Sequence, residues 1–378
     1  MHKTILSLFM LLFVGQMSLI GNTGHPTNDP GRNESKEIRT IFDKLKQGKE
    51  VLDVTIEFDM APLMENRYNE KAQKATFIYK DLRKNEVQYE VKASLRGKYR
   101  RRVCEFPPLM IKFPKKDLKA EGLSDHNDLK LVTHCIDDKL VGNENVIKEY
   151  LLYRMFNELT PYSYRVQLLK VTYKDVNNNY PKVKRWAFLI EDTDEMAERL
   201  GGEECEKCLN IPTDSINTAN ENLVALFQFM IGNADWSSVM DRNIKFVNRS
   251  EEDKKLIVPY DFDFSGMVNA SYALPSTDYG LTSIKDRVFL GREVSEDVFA
   301  SNIRLFLEKK KTLYNILHDC KLLNTDARFE MLDYMDTFYA CISDVDFNKE
   351  ILPQLAGEEE EANGSDSEYI INRNNSGK

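Results

Sequence analysis

The apolar pattern of this chain changes once, near Thr193, and that change limits the fold more than any single motif. From Val51 to Phe113 apolar and polar residues alternate in "VLDVTIEFDM", "ATFIYK", "VQYEVKASLRG" and "PLMIKF". A period of two is the mark of strands with one buried face. "NENVIKEYLLYRMFNEL" follows with Val146, Tyr150, Tyr153 and Leu159 near helical spacing, which predicts a helix over 143–159. "YRVQLLKVTYKD" and "KRWAFLIED" read as two further strands with "NNNYP" as their turn. Beyond Thr193 the pattern is mainly helical, in "ENLVALFQFMIG", "FASNIRLFLEKKKTLYNILHDC" and "ARFEMLDYMDTFYACISDV". The expected fold class is α+β: an antiparallel sheet with one helix over 46–192, then a mainly helical half over 193–355.

The ends are of another kind. "MHKTILSLFMLLFVGQMSLIGNTG" has a short basic start, an apolar run and small residues, the pattern of a secretory signal peptide over 1–21. Its longest unbroken apolar piece, "LFMLLFV", is too short for an ordinary transmembrane helix, although an uncleaved anchor is the competing reading. Residues 22–45 read as a linker, and 356–378 as an acidic disordered tail. The expected protein is exported (periplasmic, extracellular or cell-surface) and free of the membrane once the signal is removed. A formal net charge of -9 over 378 residues excludes nucleic acid as a partner of the whole surface. Any phosphate must be met by a local basic patch.

Export makes disulfides the expected state of the six cysteines. Cys104 and Cys135 each close a strand-like run and are expected to pair. Cys320 and Cys341, in successive helical segments, are expected to form a second bridge. Cys205 and Cys208, in "CEKC", are left over. A zinc site would want a second such pair or paired histidines, and the five histidines do not supply one.

The chemistry concentrates in three places. "SLRGKYRRRVCEFPPLMIKFPKK" gathers Arg96, Arg100, Arg101, Arg102, Lys112, Lys115 and Lys116 in an otherwise acidic chain. Solvated charge on an exposed hairpin is the plain reading. Against it, Lys112 alternates with Met110 and Ile111 inside an apolar strand, as a nucleotide-binding lysine does, and Glu149, mid-helix, is the expected partner for it. "FQFMIGNADWSSVMDRNIKFVN" then crowds Asn233, Asp235, Asp241 and Asn243 onto a loop after a helix. Finally "LIVPYDFDFSG" runs an apolar strand into Asp261 and Asp263. Asn and Asp often only make turns. Two such loops flanking one strand pair instead suit phosphoryl transfer, in which one aspartate orients a hydroxyl while an Asn and a second Asp hold the metal.

"C.FPPLMIKF", "LVTHC", "NELTPYSYRVQLLKVTYKD", "FLIEDTDEMAERLG", "MIGNADW" and "PYDFDFSG" together resemble the CotH spore-coat kinase family of atypical secretory-type protein kinases. The likeness runs from about Leu95 to Gly291. It implies a protein-kinase-like two-lobed fold with an antiparallel-sheet N-lobe and a mainly helical C-lobe. It also implies Asp235 as the catalytic aspartate, and Asn243 and Asp261 as ligands of Mg²⁺ or Mn²⁺ with Asp263 in support. Lys112, Glu149 and Arg96 would serve ATP, with Glu191 at the nucleotide hinge. The family pattern N-x-D-R, then H-N, is broken here by Trp236 and Arg242. The implied function is an exported kinase acting on a protein, itself or a glycan. The alternatives are a catalytically inactive kinase-like binding protein, and a D-x-D metal-dependent phosphatase or glycosyltransferase.

Overall fold

The computed structural model describes residues 39–46, 48, 50–68, 71–249, 252–344 and 369–371. The signal segment 1–21, most of the linker and most of the acidic tail lie outside the described residues. The described end of the linker span is folded: Ile41, Phe42 and Leu45 of α1 (Ile41–Lys46) are buried.

The first part runs β1 (Val51–Phe58), α2 (Ala61–Glu65), β2 (Gln73–Lys80), β3 (Glu86–Leu95), α3 (Arg100–Val103), β4 (Leu109–Lys112), α4 (Lys115–Ala120), β5 (Asp128–Val132), α5 (Lys139–Leu159), β6 (Val166–Asp175) and β7 (Val183–Ile190). These seven strands close into a barrel in the order β1-β2-β3-β4-β5-β7-β6. All neighbours are antiparallel except the closing pair, in which β1 runs parallel to β6 with Val51 opposite Leu168. The alternation read from the sequence fills the interior with Ile56, Phe77, Val91, Ile111, Leu129, Val171 and their neighbours. Side chains fill a barrel of this size.

Three of those strands are buried on both faces. Leu129, Leu131, Leu169, Val171, Ala187 and Leu189 point into the barrel. Val132, Leu168, Phe188 and Ile190 point the other way, into a second core with α5. That core is completed by α6 (Thr193–Arg199), β8 (Gly202–Glu204), α7 (Thr218–Ile231), β9 (Ile244–Arg249), β10 (Leu256–Pro259), β11 (Arg287–Phe289), α8 (Glu296–His318) and α9 (Thr325–Ile342). The strands β8, β9 and β10 form an antiparallel sheet, and β11 pairs with β12 (Tyr369–Ile371).

The fold expected from the kinase resemblance is therefore corrected. The N-terminal strands form a closed mixed barrel, not the antiparallel sheet of a kinase N-lobe, and the C-terminal part carries a sheet of its own among its helices. Alternation reports which face of a strand is buried but not which strand closes on which, so an open sheet and a barrel share one pattern. The phosphatase alternative also loses its frame. It needs a doubly wound parallel sheet after the D-x-D, whereas β10 pairs only with antiparallel β9.

The cysteines divide differently from the expectation. Cys104–Cys135 and Cys205–Cys208 are bridged. No disulfide joins Cys320 to Cys341. The two helices do form a hairpin, but Cys320 lies at its turn. Cys341 is 16 residues beyond Thr325 (341 minus 325), roughly 24 Å along the helix at about 1.5 Å per residue.

Candidate active site

The D-x-D segment owes its geometry to the residue between the aspartates. Phe262 is fully buried, with ring centroids 4.6 Å from Tyr153 and 5.5 Å from Phe227. This anchor fixes the backbone between the two aspartates. Asp261 adopts φ 66°, the left-handed region that Asp tolerates better than most residues. Its backbone N–H donates to the Tyr153 hydroxyl at 2.8 Å. One turn earlier on α5 stands Glu149, also buried. Carboxylate oxygens of Glu149, Asp261 and Asp263 all lie within 4.8 Å of one another.

A single arginine faces all three. Arg100, buried on α3, forms an ion pair with Asp261, and its guanidinium nitrogens lie 3.7 Å from Glu149 and 3.4 Å from Asp263. Burial alone would lower the guanidinium pKa, but Asp263 and Glu149 outweigh it and hold Arg100 above its ordinary value. The Glu149 carboxyl is pushed well above the usual range, first by burial and then by Asp263, with Arg100 opposing. Glu149 Oε1 and Asp263 Oδ2 are buried without a hydrogen-bond partner. Buried polar atoms are seldom left so. Three converging carboxylates, two of them with such an oxygen, fit a hard divalent cation, which takes oxygen ligands.

The neighbouring loop begins where α7 ends at Gly232, in a left-handed conformation (φ 66°) under Tyr334. A Cβ there would clash with the Tyr334 hydroxyl, so the turn requires glycine. Asn233 donates to Gln228 and accepts from the Asp235 N–H at 2.9 Å. Asn243 (φ 54°) donates to Asp235 Oδ2 at 2.9 Å and to the Asp235 carbonyl. Burial raises the Asp235 pKa, while Arg242 and Asn243 oppose it. The position that is arginine in the CotH pattern is Trp236, buried in the core. An arginine nevertheless reaches Asp235: Arg242 Nη1 lies 3.5 Å from its Oδ1. Asp235 and Arg242 also border a cavity of about 130 Å³, lined on its apolar side by Phe264, Leu274, Leu281 and Ile284.

The structure thus brings Glu149, Asp261 and Asp263 together and sets Asn243 against Asp235. Arg96 interacts with Arg100 and Glu149. Lys112 is elsewhere. It is half-exposed on the outside of the barrel and pairs with Asp128 at 2.9 Å, so Glu149 faces Arg100 instead. The Glu191 side chain is fully buried between Arg165 and Arg199. The residue that sequence reasoning missed is Lys130 on β5. It is buried, donates to Thr193 Oγ1 at 2.5 Å, lies over the Tyr164 ring, and is lowered to about 8 by burial and by the Arg96 cation. In sequence Lys130 stands between apolar residues in "LKLV", as Lys112 does between Ile111 and Phe113, so the pattern did not separate the two.

No family model matches the chain, so membership of the CotH family is not established. No curated protein matches it either. Among solved structures it is similar to the crystal structure of a Helicobacter pylori proinflammatory kinase, CtkA, at 12% identity and a TM-score of 0.36. The match covers 66% of this chain and 95% of that one. At that score the two folds share too little for residues to be carried across.

Proposed function

We propose that the chain is a phosphotransferase that moves the γ-phosphoryl group of ATP, in the presence of Mg²⁺ or Mn²⁺, to a hydroxyl on a protein or on itself. The observation that carries this reading is the convergence of Glu149, Asp261 and Asp263, with unsatisfied oxygens, next to an Asp235 held by Asn243. Glu149, Asp261 and Asp263 would hold the metal, and Arg96 and Lys130 would meet the phosphates. A bound divalent ion would supply charge neutralisation on the β and γ oxygens. Asp235 orients the acceptor hydroxyl at the mouth of the apolar cavity and takes its proton as the oxygen–phosphorus bond forms and the bond to ADP breaks. Burial, which raises the Asp235 carboxyl, makes it a better proton acceptor.

Calorimetry with ATP, with and without Mg²⁺, tests the metal, and equal affinity in EDTA removes it from the reading. Asp235→Asn should keep ATP binding and lose phosphoryl transfer by about 10²-fold or more, the usual worth of a positioned base. ATP binding without transfer in the parent protein would instead favour a binding role.

We also propose an exported protein. The bridges Cys104–Cys135 and Cys205–Cys208 support an oxidising compartment. No helix among the described residues is long and apolar enough to cross a membrane. Non-reducing peptide maps of natively produced protein should recover both bridges, and free thiols at Cys104 and Cys135 would remove the support.

A further inference from the structure

Arg100 is the feature of the site that the reading above does not use. It is 5% exposed, it is ion-paired with Asp261, and it approaches Glu149 and Asp263 at 3.7 and 3.4 Å. A guanidinium there supplies the positive charge that a metal would supply. It cannot share the space among oxygens that lie within 4.8 Å of one another. Its Nη2 is the atom paired with Asp261 Oδ1, and its Nε faces Asp263 Oδ2 at 3.4 Å. Arg96, beside it, is held below its ordinary value by burial and then by the Arg100 cation, so Arg96 gains if Arg100 moves off.

The segment that carries Arg100 is tethered on both sides. The Cys104 N–H donates to the Arg100 carbonyl at 2.9 Å, and Cys104 is bridged to Cys135. The Glu105 N–H donates to the Cys135 carbonyl at 2.8 Å. On the other side the Tyr99 ring lies against Phe264, which directly follows Asp263, and the Tyr99 hydroxyl donates to the Tyr272 carbonyl. These contacts fix the backbone of α3 beside the carboxylates.

We propose that Arg100 occupies the carboxylate site as a resident cation and is exchanged for the divalent metal when the metal–nucleotide complex binds, its guanidinium passing from the carboxylates to the phosphates. This rests on the metal–nucleotide reading of the same site. The exchange replaces one positive charge by two beside the three carboxylates, so a compensating cation is present in both states, as buried carboxylates require. It gives Arg100 two opposite roles: competitor of the bare metal and positioner of the nucleotide.

Arg100→Met separates the two roles, because a residue that only supports the fold would weaken both ligands. Mn²⁺ alone, titrated by calorimetry or by electron paramagnetic resonance, should bind the variant about tenfold more tightly than the parent. ATP at saturating Mg²⁺ should bind it about tenfold more weakly, the loss of one charge-assisted contact. Mn²⁺ affinity unchanged or lowered in the variant overturns the proposal, and so does Mg²⁺–ATP affinity unchanged or raised. If Mn²⁺ binds neither protein, the metal reading itself fails. Should the variant not fold, crystals of the parent protein soaked in Mn²⁺ and ATP decide the matter: Arg100 still paired with Asp261 overturns the exchange, and Arg100 on phosphate oxygens supports it.

Discussion

The barrel and the loops around Asp261 use strained backbone differently. In the barrel, non-glycine residues with positive φ stand at hairpin turns: Lys84 between β2 and β3, and Asn178 between β6 and β7. Turns of that kind demand such a conformation. Around the site, Asp241, Asn243 and Asp261 all have positive φ, and two of them carry side chains aimed at the carboxylates of the candidate centre. Strain of this sort persists when surrounding structure over-determines it, and it gathers at functional sites. The barrel is built for stability and the loops for placing charge. Mutations should therefore have opposite consequences in the two regions.

The largest contrast should come from the bridge. Replacing Cys104 and Cys135 together by serine should cost about 2–4 kcal/mol in denaturant unfolding, the usual worth of a loop of this length. A loss under about 0.5 kcal/mol would show that the bridge adds nothing to the hydrogen bonds beside it.

The next comes from His134, stacked on Phe106 beside that bridge. Burial, then the Arg185 cation, lowers it to about 3. Its unfolded value is about 6.5, so the unfolded chain takes up a proton first as the pH falls. Stability is full above pH ~6.5 and falls by about 1.4 kcal/mol per unit down to the folded value. Between pH 7 and pH 5 His134 alone should cost about 2 kcal/mol, against an opposite contribution from the buried Glu149, Glu195 and Glu221 carboxyls, so His134→Phe should gain about that amount relative to the parent over this window. An equal slope in the variant would move the effect to other groups.

The smallest change should have the opposite sign. Asp261→Asn keeps a residue that tolerates positive φ and removes one of three crowded carboxylates. Stability should hold or rise by up to about 1 kcal/mol, while Mn²⁺ binding is lost. A drop of more than about 2 kcal/mol would make Asp261 a structural partner of Arg100 and not a ligand held under strain.

How far the sequence could be read follows the same division. Strand patterns located β1–β4, β6 and β7, and helical spacing located α5, α7, α8 and α9, because burial of one face writes itself into the chain. "DFDF" was legible because two aspartates close an apolar strand, where a plain turn would be expected. The closure of β1 on β6 was not, since the partners lie 117 residues apart (168 minus 51) and parallel pairing leaves no local signal. Lys130 was not singled out, because it and Lys112 both sit among apolar residues. The face each presents depends on β5 being buried on both sides, which only the assembled barrel decides. Arg100 as the partner of Glu149 was hidden in a run of three arginines, where only one points inward.

The wall of β5, β7 and β6 belongs to two cores at once, and this governs how the protein can be divided. Cut after β7, the barrel would present Val132, Leu168, Phe188 and Ile190 bare to water. Cut before β5, the remainder would lose the surface on which α5 lies. No boundary in the described chain yields a fragment with a closed core. Expression of halves, domain grafting or circular permutation through this wall should give insoluble material, and the folded body is inherited whole or not at all.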